Sequence, residues 1–204
     1  MDTDCQSTAF VVGLGNPGPE YRDTRHNVGF RVVEELVRRW DGGSGKTVFS
    51  GWLFDARVRR GQRERRVMLL EPLTYMNRSG QAVAELAGFY KALPADVLVV
   101  LDDLALPPGQ LRLRADGSSG GHKGLDSVLE SLGTQAVPRL RIGIGSPPPQ
   151  MDSADYVLQA FAKGEREAVQ QAVHEAGDTV EDWLFDGIDA AMERHNRRPA
   201  DQAP

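Results

Sequence analysis

Five consecutive apolar residues, Val97-Leu-Val-Val-Leu101, run straight into Asp102-Asp103. A strand with one wet face alternates apolar and polar residues, so an unbroken run needs cover on both faces, as in the middle of a parallel sheet. The acidic stop marks the carboxyl end of that strand, the edge where open α/β sheets gather ligands. Thr8-Ala-Phe-Val-Val12 reads as a second short buried strand, stopping at Gly13-Leu-Gly-Asn16. Elsewhere helix-like and strand-like segments take turns. Apolar residues fall at helical spacing over Val28 to Trp40, Ser79 to Tyr90, Leu125 to Leu132 and Gly164 to Phe185, with a shorter helix near Ala190 to His195. Val48 to Arg60 and Arg65 to Leu70 read as two strands joined at Arg60-Gly61-Gln62, the arginines at 57, 59, 60, 63, 65 and 66 marking a solvated edge. Leu111 to Arg114 and Arg139 to Ile144 are further strands. The pattern predicts an α/β fold: a single-domain, three-layer α/β/α arrangement with a twisted, mixed, mainly parallel sheet.

A chain of 204 residues with 40% hydrophobic content can bury one continuous core. No repeat or low-complexity linker marks a boundary, so one domain is expected over 1–204, its core spanning about 9–195 and a disordered tail 197–204. The formal charge of −5 sets no strong preference among partners, because an acidic protein can still gather its arginines on one face. Cys5 is the only cysteine, so a disulfide within the chain is impossible and a reducing compartment is expected. The first residues lack a basic start and a long apolar stretch, and no segment approaches the roughly 20 apolar residues of a membrane span. These features predict a cytoplasmic protein with no membrane contact.

Gly13-x-Gly15-x-x-Gly18 matches the dinucleotide fingerprint and follows a strand. The fingerprint works because a helix begins within the glycine loop and aims its N–H groups at a pyrophosphate. Here Pro17 and Pro19 flank Gly18, and Pro-Glu-Tyr-Arg-Asp-Thr continues as a turn, so helical spacing starts only near Val28. Glu34 and Glu35, where a ribose-binding acid would be sought, fall inside the helix. A dinucleotide-dependent enzyme is the weaker reading.

Asn16, His26, Asn77, Asp102 and the loop Gly120-Gly121-His122-Lys123-Gly124 stand next to expected strand ends or turns. A neutral imidazole becomes a useful base when a carboxylate holds its other nitrogen, so His26 with Asp102 can activate water. Amides such as Asn16 and Asn77 can donate to a carbonyl or a developing oxyanion. Each assignment has a plain structural counterpart: an isolated histidine is more often a surface or capping group, and Asp102-Asp103 can cap the turn before Pro107-Pro108-Gly109.

The strings V-G-L-G-N-P-G-x-x-Y-x-x-T-R-H-N-V-G, T-Y-M-N-x-S-G, D-D-L-x-L-P-x-G, G-S-S-G-G-H-x-G-L and R-L-R-I-G-I-G resemble those of the bacterial peptidyl-tRNA hydrolase family, in the family's order and over about residues 9–195. The resemblance implies a single α/β domain that hydrolyses the ester between a peptide and the 3′ end of tRNA. It implies His26 as the base, Asp102 as its orienting partner, Asn16 as a discriminator of peptidyl from aminoacyl esters, and Asn77 as a substrate-holding, transition-state-stabilising amide. Tyr21, Tyr75 and Met76 resemble positions lining the substrate site. Neither metal nor other cofactor is implied, and a monomer is expected. Three departures stand out. Lys123 replaces the asparagine of G-H-N-G, Ala105 replaces the third acid of D-D-L-D-L-P, and Glu71 stands where many members have lysine. Lys123 can still donate hydrogen bonds and attract a tRNA phosphate. A tRNA footprint would draw on some of Arg22, Arg25, Arg78, Arg112, Arg114, Lys123, Arg139 and Arg141. The other class to weigh is a noncatalytic RNA-binding relative, against which the joint presence of His26, Asp102, Asn16 and Asn77 speaks.

Overall fold

The computed structural model describes residues 8–196; Cys5 and the tail at 197–204 lie outside them. Seven strands form one sheet in the order β2-β3-β4-β1-β5-β7-β6. Strands β1 (Ala9–Gly13), β4 (Arg63–Pro72), β5 (Val97–Asp103) and β7 (Arg139–Gly143) run parallel through its middle. Strands β2 (Lys46–Val48), β3 (Gly51–Arg60) and β6 (Leu111–Arg114) are antiparallel to their neighbours. All of β1 and β5 is buried, as their unbroken apolar runs require. Helices α1 (Val28–Arg39) and α5 (Lys163–His195) cover one face around Val11, Leu69, Leu98 and Leu140. Helices α2 (Ser79–Tyr90) and α3 (Lys123–Leu132) cover the other around Phe10, Val12, Leu70 and Val99. The three-layer mixed sheet expected from the sequence is the fold.

The glycines of the first loop serve helix packing. A Cβ on Gly13 would sit 2.3 Å from the carbonyl oxygen of Gly29, and one on Gly29 would sit 2.5 Å from that of Val100. Only bare backbone allows the first turn of α1 to lie this close to β1 and β5. Two 3-10 turns, Pro19–Tyr21 and Arg25–Asn27, separate Gly18 from α1, so the dinucleotide geometry is not built. The second of these turns carries His26 over the end of β5.

Two local expectations need correction, and two are borne out with added detail. Val48 to Arg60 is not one strand: Phe49 and Ser50, at φ 52° and 48°, form a two-residue turn between β2 and β3, with Val48 paired to Gly51. Such turns favour Asn-Gly, a signature absent from Val-Phe-Ser-Gly. The arginine cluster lies, as expected, on a solvated edge where β3 outruns β2 and has no outer partner among the described residues, and most of its charge is answered within the chain. Arg57 and Arg59 pair with Glu64, Arg60 with Asp182 and Asp186, and Arg66 with Asp55. The two C-terminal helices expected are both present, and a kink at Gly187, φ 84°, joins them within α5. Finally, a short helix α4 (Ser153–Val157) was unforeseen. Its trailing segment is tied to the His26 loop by the Thr24–Ala160 bridge and by Arg25 N–H donating to Gln159 O.

Candidate active site

Loops following β1, β4 and β5, together with the start of α3 and α4, surround a cavity of about 610 Å³ above the carboxyl edge of the sheet. Asp102, buried at the end of β5, anchors it. His26 Nδ1 lies 2.8 Å and His122 Nε2 3.0 Å from the same carboxylate oxygen, Asp102 Oδ1. An ionised carboxylate only accepts, so both rings donate. His122 Nδ1 accepts from Leu125 N–H at 3.2 Å, which caps α3 and fixes the same tautomer independently. In His26 the proton therefore sits on Nδ1, leaving Nε2 as a basic lone pair on a side chain that lines the cavity. Burial opposes ionisation of Asp102, but its interactions with His122 and then His26 outweigh it and hold the carboxyl well below the ordinary range.

Asn16 follows β1 and is clamped by Asn27. Asn16 N–H donates to Asn27 Oδ1, and Asn27 Nδ2 donates to Asn16 O, each at 2.9 Å. The Asn16 side-chain oxygen accepts from Met76 N–H at 2.8 Å. With its carbonyl engaged, Asn16 has its amide nitrogen left to offer the cavity. Met76 is buried beneath the 3-10 turn Met76–Arg78, while Asn77 is exposed on the cavity wall and Tyr75 stands at the rim, 62% exposed. The neighbouring Asp103 has the turn role: its Oδ1 accepts from Ala105 N–H at 2.9 Å. Its Oδ2 lies 2.9 Å from Arg141 Nη2, an ion pair without hydrogen-bond alignment. His26, Asp102 and His122 are also the one His/Asp group, among the described residues, whose ligand atoms all lie within 4.8 Å and can share a metal ion.

Residues 10–203 match the peptidyl-tRNA hydrolase family. The chain belongs to that family. A peptidyl-tRNA hydrolase of Symbiobacterium thermophilum is 48% identical over 186 residues, covering 91% of this chain and 97% of that one. One from Chloroflexus aggregans is 49% identical over 188 residues, covering 91% and 97%. The crystal structure of peptidyl-tRNA hydrolase from Acinetobacter baumannii superposes with a TM-score of 0.83 at 36% identity, covering 95% of this chain and 97% of that one.

Set beside the peptidyl-tRNA hydrolase motifs, most of the residues singled out in the sequence converge. Asn16, His26, Tyr75, Met76, Asn77, Asp102 and Lys123 all line the one cavity. Tyr21 does not: it ends the 3-10 turn Pro19–Tyr21, half-buried, and its carbonyl accepts from Thr24 Oγ1 at 2.7 Å. Two of the eight candidate tRNA cations are structural. Arg25 is buried, pairs with Glu165 at 2.8 Å and stacks its guanidinium 4.4 Å from the Tyr156 ring. Arg139 is buried and donates to the carbonyls of Val137 and Gly117. Arg141 reaches the cavity, and Arg22, Arg78 and Arg114 are exposed. Lys123 is exposed as the first residue of α3, where the helix dipole opposes a cation, so an anionic ligand would relieve it. Sequence reading gave no role to Asn27, to His122, or to the α4 wall of Asp152, Ser153 and Val157. The G-G-H-x-G loop was the one signal for His122. Among the described residues no helix is long and apolar enough to cross a membrane.

Proposed function

We propose that this protein hydrolyses the ester joining a peptide to the 3′ end of tRNA. The observation that carries the reading is the contact between His26 Nδ1 and Asp102 Oδ1, which leaves Nε2 free to take a proton. Water held at Nε2 attacks the ester carbonyl while His26 accepts its proton, and Asp102 stabilises the imidazolium. The Asn16 and Asn77 amides donate to the oxyanion, a contribution of roughly 3–4 kcal/mol where one such donor is well placed. As the tetrahedral intermediate collapses, the imidazolium returns the proton to the departing 3′ oxygen. The products are a peptide acid and tRNA with a free hydroxyl.

An ester is activated enough that positioned water and a polarised carbonyl suffice without a covalent nucleophile. Lys123, Arg141 and the exposed arginines supply cations for the tRNA acceptor end, and the protein works as a cytoplasmic monomer. The intact His26–Asp102–Asn16 geometry counts against a noncatalytic RNA-binding relative. The test is release of N-acetyl-amino acid from N-acetyl-aminoacyl-tRNA with the unblocked ester spared. Equal, negligible turnover by wild type and His26→Ala would refute the catalytic reading.

A further inference from the structure

An exposed track leads away from the cavity along α2. Gln81, Glu85 and Phe89 lie on its outer face at four-residue spacing, one turn beyond the cavity residue Asn77. The β2–β3 turn closes over the side of this track. Ser50 Oγ donates to Glu85 Oε1 at 3.0 Å and accepts from Gln81 Nε2 at 3.2 Å, while Leu73 N–H donates to Ser50 O at 2.9 Å. At the far end Phe49 meets Phe89, ring centroids 5.1 Å apart, yet Phe89 remains 68% exposed. Between this turn and the cavity, Leu73 and Tyr75 are both exposed, Leu73 bonded to Ser50 and Tyr75 at the cavity rim.

Phe49 is an odd occupant of its position. Both central residues of this two-residue turn have positive φ, where asparagine and glycine are at ease and phenylalanine is strained. Backbone strain kept at a residue whose ring meets an exposed apolar partner points to a use for the ring.

We propose that this track binds the peptide of the substrate upstream of the esterified residue, the Phe49–Phe89 pair receiving an apolar side chain. This inference rests on the peptidyl-tRNA reading of the adjoining site. Twelve residues from Asn77 to Phe89 span roughly 18 Å at 1.5 Å per helical residue. An extended peptide covers that in about five residues. The pair is therefore reached by a residue five or six positions before the ester, and never by a single blocked amino acid.

The test compares N-acetyl-aminoacyl-tRNA with two heptapeptidyl-tRNAs, carrying leucine or serine at both the fifth and the sixth residue before the ester. Wild type is compared with Phe89→Ser and Phe49→Asn, the latter chosen because asparagine relieves the turn and preserves the fold. Expected is a KM for the leucine heptapeptide about five- to tenfold lower than for the serine one in wild type, an advantage lost in both variants. All three proteins should hydrolyse the short substrate equally. If none hydrolyses the short substrate, the parent reading fails. If all do, and the leucine advantage is absent or survives both substitutions, the track is wrong. Loss of self-association in the variants with unchanged KM would assign the patch to a second copy and equally overturn it.

Discussion

Glu71 is the carboxyl group most out of place in this fold. It sits on β4 opposite Trp52, and its Oε1 is buried without a hydrogen bond. Burial, reinforced by the charge of Glu34, pushes its pKa from 4.5 up to about 8. Folding thus favours the protonated form, and between these two values the native state holds more protons than the unfolded chain. Stability conferred by this group is complete below about pH 4.5 and is lost as pH rises through 8. At about 1.4 kcal/mol per pH unit the full titration amounts to roughly 4–5 kcal/mol, of which about 3 falls between pH 5 and pH 8. Glu71→Gln keeps shape and neutrality while removing the titration. Wild type and variant should match near pH 5, and by pH 8 the variant should be more stable by about 3 kcal/mol, or several degrees in Tm for a chain of this size. Urea melts at pH 5, 6, 7 and 8 measure it. Parallel stability profiles for the two proteins would refute the reasoning, because they would mean that Glu71 is ionised in the native state at neutral pH.

Other perturbations probe the site directly. Asp102→Asn places an amide against His26 Nδ1 and favours the wrong tautomer, so kcat should fall by about 10²–10⁴ while tRNA binding changes little by filter retention. His122→Ala removes the first interaction that keeps Asp102 ionised, so the acid limb of the kcat profile should move to higher pH; an unchanged limb with lower Tm would leave His122 only a helix cap. Lys123→Asn should raise KM and flatten its dependence on salt by about one charge, whereas an identical salt slope would remove Lys123 from the tRNA contacts. Gly29→Ala should cost about 3 kcal/mol or more in a urea melt, since its Cβ has nowhere to go between α1 and the sheet.

What the sequence disclosed was whatever is written in runs and blocks. Continuous apolar stretches located β1 and β5, and polar residues at their ends located Asn16 and Asp102. Short elements escaped: α4 has five residues, too few for a period, although its neighbourhood walls the cavity. Pairing escaped as well. Arg25 and Arg139 read as surface cations because nothing in their own strings tells of Glu165, Tyr156 or the carbonyls that bury them. The Phe49-Ser50 turn was hidden because its residues contradict the usual chemistry of such turns, and its packing against Phe89 comes from a distant segment. Tyr21 illustrates the converse, since a position in a well-matched motif need not face the cavity its neighbours build.

The single oxygen of Asp102 that receives both imidazoles also governs how charge flows during turnover. At rest the carboxylate with two neutral rings carries one negative charge. When His26 takes the proton of water, that group becomes neutral just as the negative charge appears on the ester oxygen. The anion is relocated within the cavity, with none created or discharged. The chemical step should therefore be nearly indifferent to ionic strength, while capture of the polyanionic substrate weakens steeply as salt rises. An ionic-strength series would split the two: a flat kcat beside a climbing KM.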